Sequence, residues 1–269
     1  MGKYPILRIE INGNPMTYLP SHSIPVSFVG AGPGAAAHLT LGAYQALQAA
    51  QVVIHDRLVG PEVLALIPAH VTLIDMGKIG FGPSTAQSDI NATLVAQALT
   101  GKRVVRLKGG DCGIFGRLDE EIEALEAAGL GFTIVPGLTS AAVAAATIGQ
   151  SLTRRGRNKA LRIVTGHDMA GFADQDWRGM ATGSEVTAIY MGKKSARFLQ
   201  GRLMMHGADG ATPVTIVANV SRPDQQIIAA TLANLPQAIE AANGPAILLY
   251  GLAPRAAQHR ISQLEEAMA

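Results

Sequence analysis

Cysteine is almost missing from this 269-residue chain, with Cys112 as its single example. One thiol excludes an intrachain disulfide and a cysteine-rich metal site. Aromatic residues make up only 4%, too few for the interleaved basic and aromatic patches that read nucleic acid. A dominant sign of charge is lacking as well. The formal net charge is +2 at pH 7, so no global field points to nucleic acid or to an anionic membrane. Apolar residues reach 48%, much of it alanine, yet no uninterrupted run attains the roughly 18 residues of a membrane helix. The seven histidines show no H-x-x-x-H pair or other ligand spacing. Lys3 and Arg8 are followed by no apolar stretch, so the N-terminus does not read as a secretory signal. These absences leave a cytoplasmic, metal-free globular protein, long enough for two α/β domains with real cores.

What is present begins with Arg103 to Arg117, R-V-V-R-L-K-G-G-D-C-G-I-F-G-R. Val104, Val105 and Leu107 read as a buried strand that runs into Lys108, Gly109, Gly110 and Asp111. Parallel sheets place ligands outside the carboxyl ends of their strands. Two glycines there allow close approach to the backbone, and Asp111 offers an acceptor for hydroxyl or ammonium groups. The plainer reading is a glycine turn capped by an Asx residue.

A β/α alternation starts at Pro25. Strands are expected at Val26 to Val29, Val52 to His55, Val71 to Asp75, Val104 to Leu107 and Phe132 to Val135. Helical patterns fall at Leu41 to Ala50, Pro61 to Ile67, Asp89 to Leu99 and Asp119 to Ala127. Ser88 suits an N-cap and Gly129 a C-terminal glycine. Residues 1–24 read as an extension with a turn, adding an edge strand through Ile6 to Ile11. Residues 25–149 form the expected first domain, 150–159 a polar linker, and 160–269 a second domain. The second has strands at Leu161 to Val164, Val186 to Tyr190, Val214 to Val217, Gln226 to Thr231 and Ala246 to Tyr250. Its helices are expected at Ser195 to Met205 and Leu235 to Ala242. The fold class is therefore α/β: two α/β domains with a ligand cleft between them, the first sheet mostly parallel, the second mixed by a hairpin around Ser221 to Asp224.

Several constellations carry chemistry. Val29 to Ala36, V-G-A-G-P-G-A-A, loosely fits a G-x-G-x-x-A dinucleotide fingerprint, with Asp56 where a ribose-binding acid belongs. Such a reading implies a nicotinamide-dependent oxidoreductase. Against it, Pro33 removes an N–H from the loop, and the helix starts late. Asp56 and Lys78 each close an expected strand, and a carboxylate and an amine there could exchange protons with a substrate; a surface ion pair is the plainer alternative. Arg154, Arg155, Arg157, Lys159 and Arg162 form the densest positive run, suited to carboxylates or phosphates if it faces a ligand, or simply a solvated loop. Met191, in Tyr190-Met191-Gly192, is as compatible with core packing as with a flat ring.

The ordered motifs then converge. V-G-A-G-P-G (29–34), H-D-R-L-V (55–59), G-K (77–78) and V-V-R-L-K-G-G-D…I-F-G-R (104–117) are followed by V-P-G-L-T-S (135–140). L-T-R-R-G (152–156), V-T-G-H (164–167) and Y-M-G (190–192) complete the series. From about Pro25 to Pro254 the chain resembles the S-adenosylmethionine-dependent tetrapyrrole methyltransferases, and among them those acting on uroporphyrinogen III. The resemblance implies C-methylation at two ring carbons to give precorrin-2 via precorrin-1, by a homodimer using S-adenosylmethionine, without metal. A later precorrin methylation of the cobalamin route is the alternative within the family. The resemblance assigns cofactor contacts to Pro33, Gly109, Gly110, Asp111, Ile114, Thr139, Ser140, Met191, Asn219, Val220 and Ala246. It makes Asp56 the proton acceptor and Lys78 the donor, and puts Arg117, Glu120 and Arg155 around the porphyrinogen and its carboxylates. Four departures stand out. Cys112-Gly113 replaces the usual Pro-Phe, Leu118-Asp119 a Gly-Gly pair, Ala35 an Asp, and Arg154 a His. With no dehydrogenase-ferrochelatase segment ahead of the match, completion of siroheme is expected to need another protein.

Overall fold

The β-branched runs become the centres of two sheets, because a strand covered on both faces must be apolar along its length. The computed structural model describes residues 9–11, 14–16, 26–77, 86–158, 160–168 and 171–255. They fall into two units, 1–32 with 36–137 and 33–35 with 138–269.

Ahead of the first main sheet lie β1 (Ile9–Ile11) and β2 (Asn14–Met16). The sheet itself is built from β3 (Val26–Gly30), β4 (Val52–His55), β5 (Thr72–Asp75), β6 (Val104–Lys108) and β7 (Phe132–Val135). The helices are α1 (Leu41–Ala49), α2 (Pro61–Leu64), α3 (Gln87–Leu99) and α4 (Leu118–Ala127). Strand order is β5-β4-β6-β3-β7, with every pairing parallel. Period-two alternation sends Val29, Val53, Val105 and Leu107 toward Ala43 and Leu47 of α1 and Val63 of α2. It sends Val26, Phe28, Val52, Ile54 and Val104 toward Leu94 and Ala98 of α3 and Leu125 of α4. β6 thus stands between β3 and β4, and its following helix covers the opposite face from theirs. Such a reversal is the switch point outside which α/β sheets take their ligands.

In the second unit come α5 (Ser140–Thr147), β8 (Leu161–Thr165), α6 (Trp177–Thr182), β9 (Val186–Tyr190) and α7 (Ala196–Met205). They are followed by β10 (Pro213–Ala218), β11 (Gln226–Thr231), α8 (Leu235–Ala238) and β12 (Ala246–Tyr250). The order is β11-β10-β12-β9-β8; β8 and β9 are parallel and the other pairs antiparallel. The mixed character expected from the hairpin is present, since β10 pairs with β11 in antiparallel register. Alanines of α5 cover one face beside Val186, Val217 and Ile247. Trp177, Leu199, Leu203 and Leu235 cover the other. Among the described residues no helix is long and apolar enough to cross a membrane.

Some expectations need correcting. Ile9–Ile11 does not extend a main sheet; it pairs with Asn14–Met16 in a two-stranded sheet of its own. Ile6 to Arg8 lie outside the described residues. Ser88 is inside α3, whose cap position is Ala86. Leu235 to Ala242 is a short α-helix continued by a 3-10 turn. The helices Ser140–Thr147 and Trp177–Thr182 were not expected at all. By packing, the division between the two units falls at Gly137 and Leu138, and α5 lies on the second sheet. Within 150–159, buried Asn158 ties the turn together through the Leu152 and Ala160 carbonyls and the Arg154 N–H.

Candidate functional site

The glycine loop after β3 serves packing. A Cβ on Gly30 would stand 2.5 Å from the Gly137 Cα, and one on Gly137 would stand 2.2 Å from the Gly110 carbonyl oxygen. Backbones from the ends of β3, β6 and β7 therefore meet where no side chain fits. The loop N–H groups are already engaged: Ala31 donates to Lys108 O at 2.8 Å and Gly32 to Gly110 O at 3.1 Å. In the second unit, Ala35 donates to Ser221 Oγ at 3.0 Å. In the first, Ala36 donates to the Glu62 carboxylate at 3.1 Å. A pyrophosphate cradle needs free N–H groups and no resident anion. α1 begins only at Leu41, capped by Thr40. The dinucleotide reading therefore has no cradle in this loop.

The turn after β6 is held from below by buried charge. Arg106, Lys108 and Glu121 are 2%, 4% and 0% exposed. Arg106 Nε donates to Glu121 Oε2 at 3.0 Å and Nη2 to Oε1 at 3.2 Å, while Lys108 Nζ reaches Oε1 at 2.5 Å. Two cations share one carboxylate, which joins the central strand to the first turn of α4. Burial, and next the Arg106 guanidinium, push the Lys108 amine below its ordinary range, while Glu121 pulls the other way. Above this cluster, Gly110 has φ 73°. Asp111 accepts from the Gly113 N–H through Oδ1 and the Gly137 N–H through Oδ2, each at 2.9 Å. The Asx turn is thus real, and Asp111 also staples the exit of β7. Cys112 is buried, and its thiol is pushed up to about 11 by burial and then by the Asp111 charge. Ile114 is half-buried, its N–H on Asp111 O.

Asp56 closes β4, and its carboxylate accepts from the Leu58 N–H at 3.0 Å. In register, His55 lies beside Leu107, so Asp56 follows at the level of Lys108. Lys78 lies outside the described residues. Arg117 and Glu120 form a two-pronged pair, Nε to Oε1 at 2.6 Å and Nη2 to Oε2 at 2.5 Å. Glu120 raises the Arg117 pKa, and Arg117 lowers that of Glu120. Arg155 is exposed on the turn fixed by Asn158.

In the second unit, Pro33 is buried, Met191 is 50% exposed at the end of β9, and Asn219 with Val220 is buried at the end of β10. The Asn219 amide donates to Asp224 at 2.7 Å. Ala246, half-buried, opens β12 opposite Ala218. Thr139 and Ser140 begin α5. Among the described residues, the non-glycine residues with left-handed backbone are Phe115, Arg117, Met191, Asn219 and Ser221. All five follow the ends of β6, β9 or β10. Strain of this kind concentrates at ligand sites, and three of these residues were already site candidates. Arg106, Lys108, Glu121 and Tyr190 were not. Arg106 and Lys108, two apart on a central strand, did signal a buried partner.

One parallel and one mixed five-stranded sheet, each with left-handed turns after its strands, make this an α/β protein of two units. The family described as tetrapyrrole (corrin/porphyrin) methylases matches residues 25–236. The chain belongs to that family. A siroheme synthase of Yersinia pseudotuberculosis is 43% identical over 226 residues, covering 84% of this chain and 48% of that protein. The chain thus spans about half the length of the curated relatives it matches. A uroporphyrin-III C-methyl transferase from Thermus thermophilus, solved with S-adenosyl homocysteine, has TM-score 0.73 and 34% identity, covering 84% of this chain and 96% of that one. A cobalt precorrin-4 methyltransferase has TM-score 0.76 over 88% of this chain and 98% of its own; at 23% identity it shares the fold.

Proposed function

We propose that this chain transfers methyl groups from S-adenosylmethionine to two ring carbons of uroporphyrinogen III, giving precorrin-2 by way of precorrin-1. The observation that carries this reading is the 34% identity to the Thermus thermophilus enzyme over 96% of that protein. The donor set fits a cationic cofactor. The Asp111 carboxylate is fixed in place at the β6 turn by two backbone N–H groups. The cofactor, when bound, supplies a methyl group on positively charged sulfur. In this reading the residues that hold it are Gly109, Gly110, Asp111, Ile114, Pro33, Thr139, Ser140, Met191, Asn219, Val220 and Ala246.

The electron-rich pyrrole carbon takes the methyl group and becomes quaternary; Asp56 takes the proton that the ring system then loses elsewhere to restore neutrality, and Lys78 acts as donor. Arg117 exchanges Glu120 for a substrate carboxylate, a small cost because the pair is solvent-exposed and each charge is screened. Arg155 binds a second carboxylate. Alignment of the reacting carbon with the methyl group supplies much of the acceleration. The product feeds siroheme- or cobalamin-type biosynthesis in the cytoplasm. The resemblance further supports a homodimer, which sedimentation equilibrium checks. Equilibrium binding tests the class of cofactor: S-adenosylhomocysteine is expected to bind and NAD not to, and the reverse would overturn the reading.

A further inference from the structure

We propose that Tyr190 is a positioning residue for the cofactor, its hydroxyl holding Thr139 and the first turn of α5 against the end of β9. The inference rests on the cofactor reading above. Thr139 occupies the N-cap position of α5, but its side chain does not cap that helix. The cap acceptor instead comes from another element. The Tyr190 hydroxyl oxygen accepts from the Ala141 N–H at 3.0 Å and shares a hydrogen bond with Thr139 Oγ1. A phenol that accepts from a backbone N–H still has its own proton to give. If that proton goes to Thr139 Oγ1, the threonine hydroxyl hydrogen is directed away from Tyr190, toward a ligand acceptor.

The same residue is fixed through its backbone. Its carbonyl accepts from the Gly166 N–H at 2.7 Å, and the next residue, Met191, turns into the left-handed region at φ 52°. Tyr190 therefore joins Thr139 and Ser140, at the start of α5, to Met191, at the end of β9. Side chains held by a supporting shell keep binding groups within the narrow tolerance that affinity requires. The Tyr190 ring also packs against the cluster that holds Ala141, Ala144 and Ala145, so only a change that keeps the ring isolates the part its hydroxyl plays.

The test is titration calorimetry of S-adenosylhomocysteine with wild type, Tyr190→Phe, Thr139→Val and the double variant. Removing one neutral hydrogen bond predicts Kd about three- to tenfold weaker in Tyr190→Phe. The double variant is expected to be no weaker than the worse single one, because both changes break the same link. In steady state the KM for S-adenosylmethionine rises while kcat holds. Tyr190→Phe keeps the ring and its packing, and circular dichroism verifies the fold. Unchanged Kd in both single variants, with a lowered Tm, would make the link merely structural and overturn the inference while leaving the cofactor reading intact. A wild-type chain that does not bind S-adenosylhomocysteine would overturn both.

Discussion

Glu121→Gln is the most demanding perturbation of the first unit. The isosteric change leaves no cavity but removes the only carboxylate bonded to Arg106 and Lys108 among the described residues. Arg106 keeps contacts to the Ile54 and Leu107 carbonyls at 3.4 and 3.2 Å, which do not neutralise its charge. Breaking a buried pair by deleting one partner costs about 3–5 kcal/mol, a large part of the roughly 5–15 kcal/mol that holds a domain folded. Lys108→Met is the control, since it leaves Arg106 and Glu121 matched one to one; it should cost less than about 1 kcal/mol or stabilise. Urea unfolding followed by far-ultraviolet circular dichroism measures both, while fluorescence of the single Trp177 reports the second unit separately. The pH dependence has a defined sign. The Lys108 pKa is lowered in the folded state, so between it and 10.5 the unfolded chain binds the extra proton. The contribution of this group to stability therefore rises with pH across that interval, and Lys108→Met removes the rise. A loss below about 1 kcal/mol in Glu121→Gln would refute the view that this cluster clamps β6 to α4.

Cys112 makes the opposite pH prediction. With its thiol raised from 9.0 to about 11, it contributes roughly 2–3 kcal/mol that is fully present below pH 9 and lost as pH climbs through 11; Cys112→Ala should flatten that decline in urea midpoints. Arg117→Ala and Arg155→Ala should each impair turnover by the worth of a charge-assisted contact, about 1.5–3 kcal/mol, while calorimetry finds cofactor affinity unchanged. Normal rates at limiting tetrapyrrole would return both to the solvated surface. Asp56→Asn should slow the single-turnover methylation step by about 10²–10⁴-fold; an unimpaired step in folded, saturated protein would remove Asp56 as the base. Gly110→Val does not isolate the ligand site, because φ 73° is strained for a β-branched residue, and it should lose stability as well as binding, as thermal melts will record.

The strands were legible because buried parallel strands read as continuous apolar runs. β4 and β6, buried at every position, are plain in V-V-I-H and V-V-R-L-K. The edge strands β5 and β7 stay partly exposed and were found by the alternation around them. α5 escaped notice because S-A-A-V-A-A-A-T has no polar stripe to mark a period. It is alanine that lets the helix lie close on the second sheet. α6 is short, though its Asp176 cap on the Gly179 N–H was visible as D-x-x-G. Motif order carried the site candidates; the five left-handed backbones in the turns after β6, β9 and β10 are a feature that sequence cannot show. Long-range partners stayed hidden. Glu121 reads as one more helix-start acid until the fold brings it under Arg106 and Lys108, and Tyr190 as one more strand aromatic until its hydroxyl meets Ala141.

The most direct measurement incubates the purified chain anaerobically with uroporphyrinogen III and methyl-labelled S-adenosylmethionine, then determines by mass the label on the tetrapyrrole over time. A singly methylated species is expected to rise and fall, with two labelled methyl groups on carbon in the final product. No label on uroporphyrinogen III, with efficient labelling of a later precorrin instead, would contradict it and assign the chain to another step of the family's chemistry.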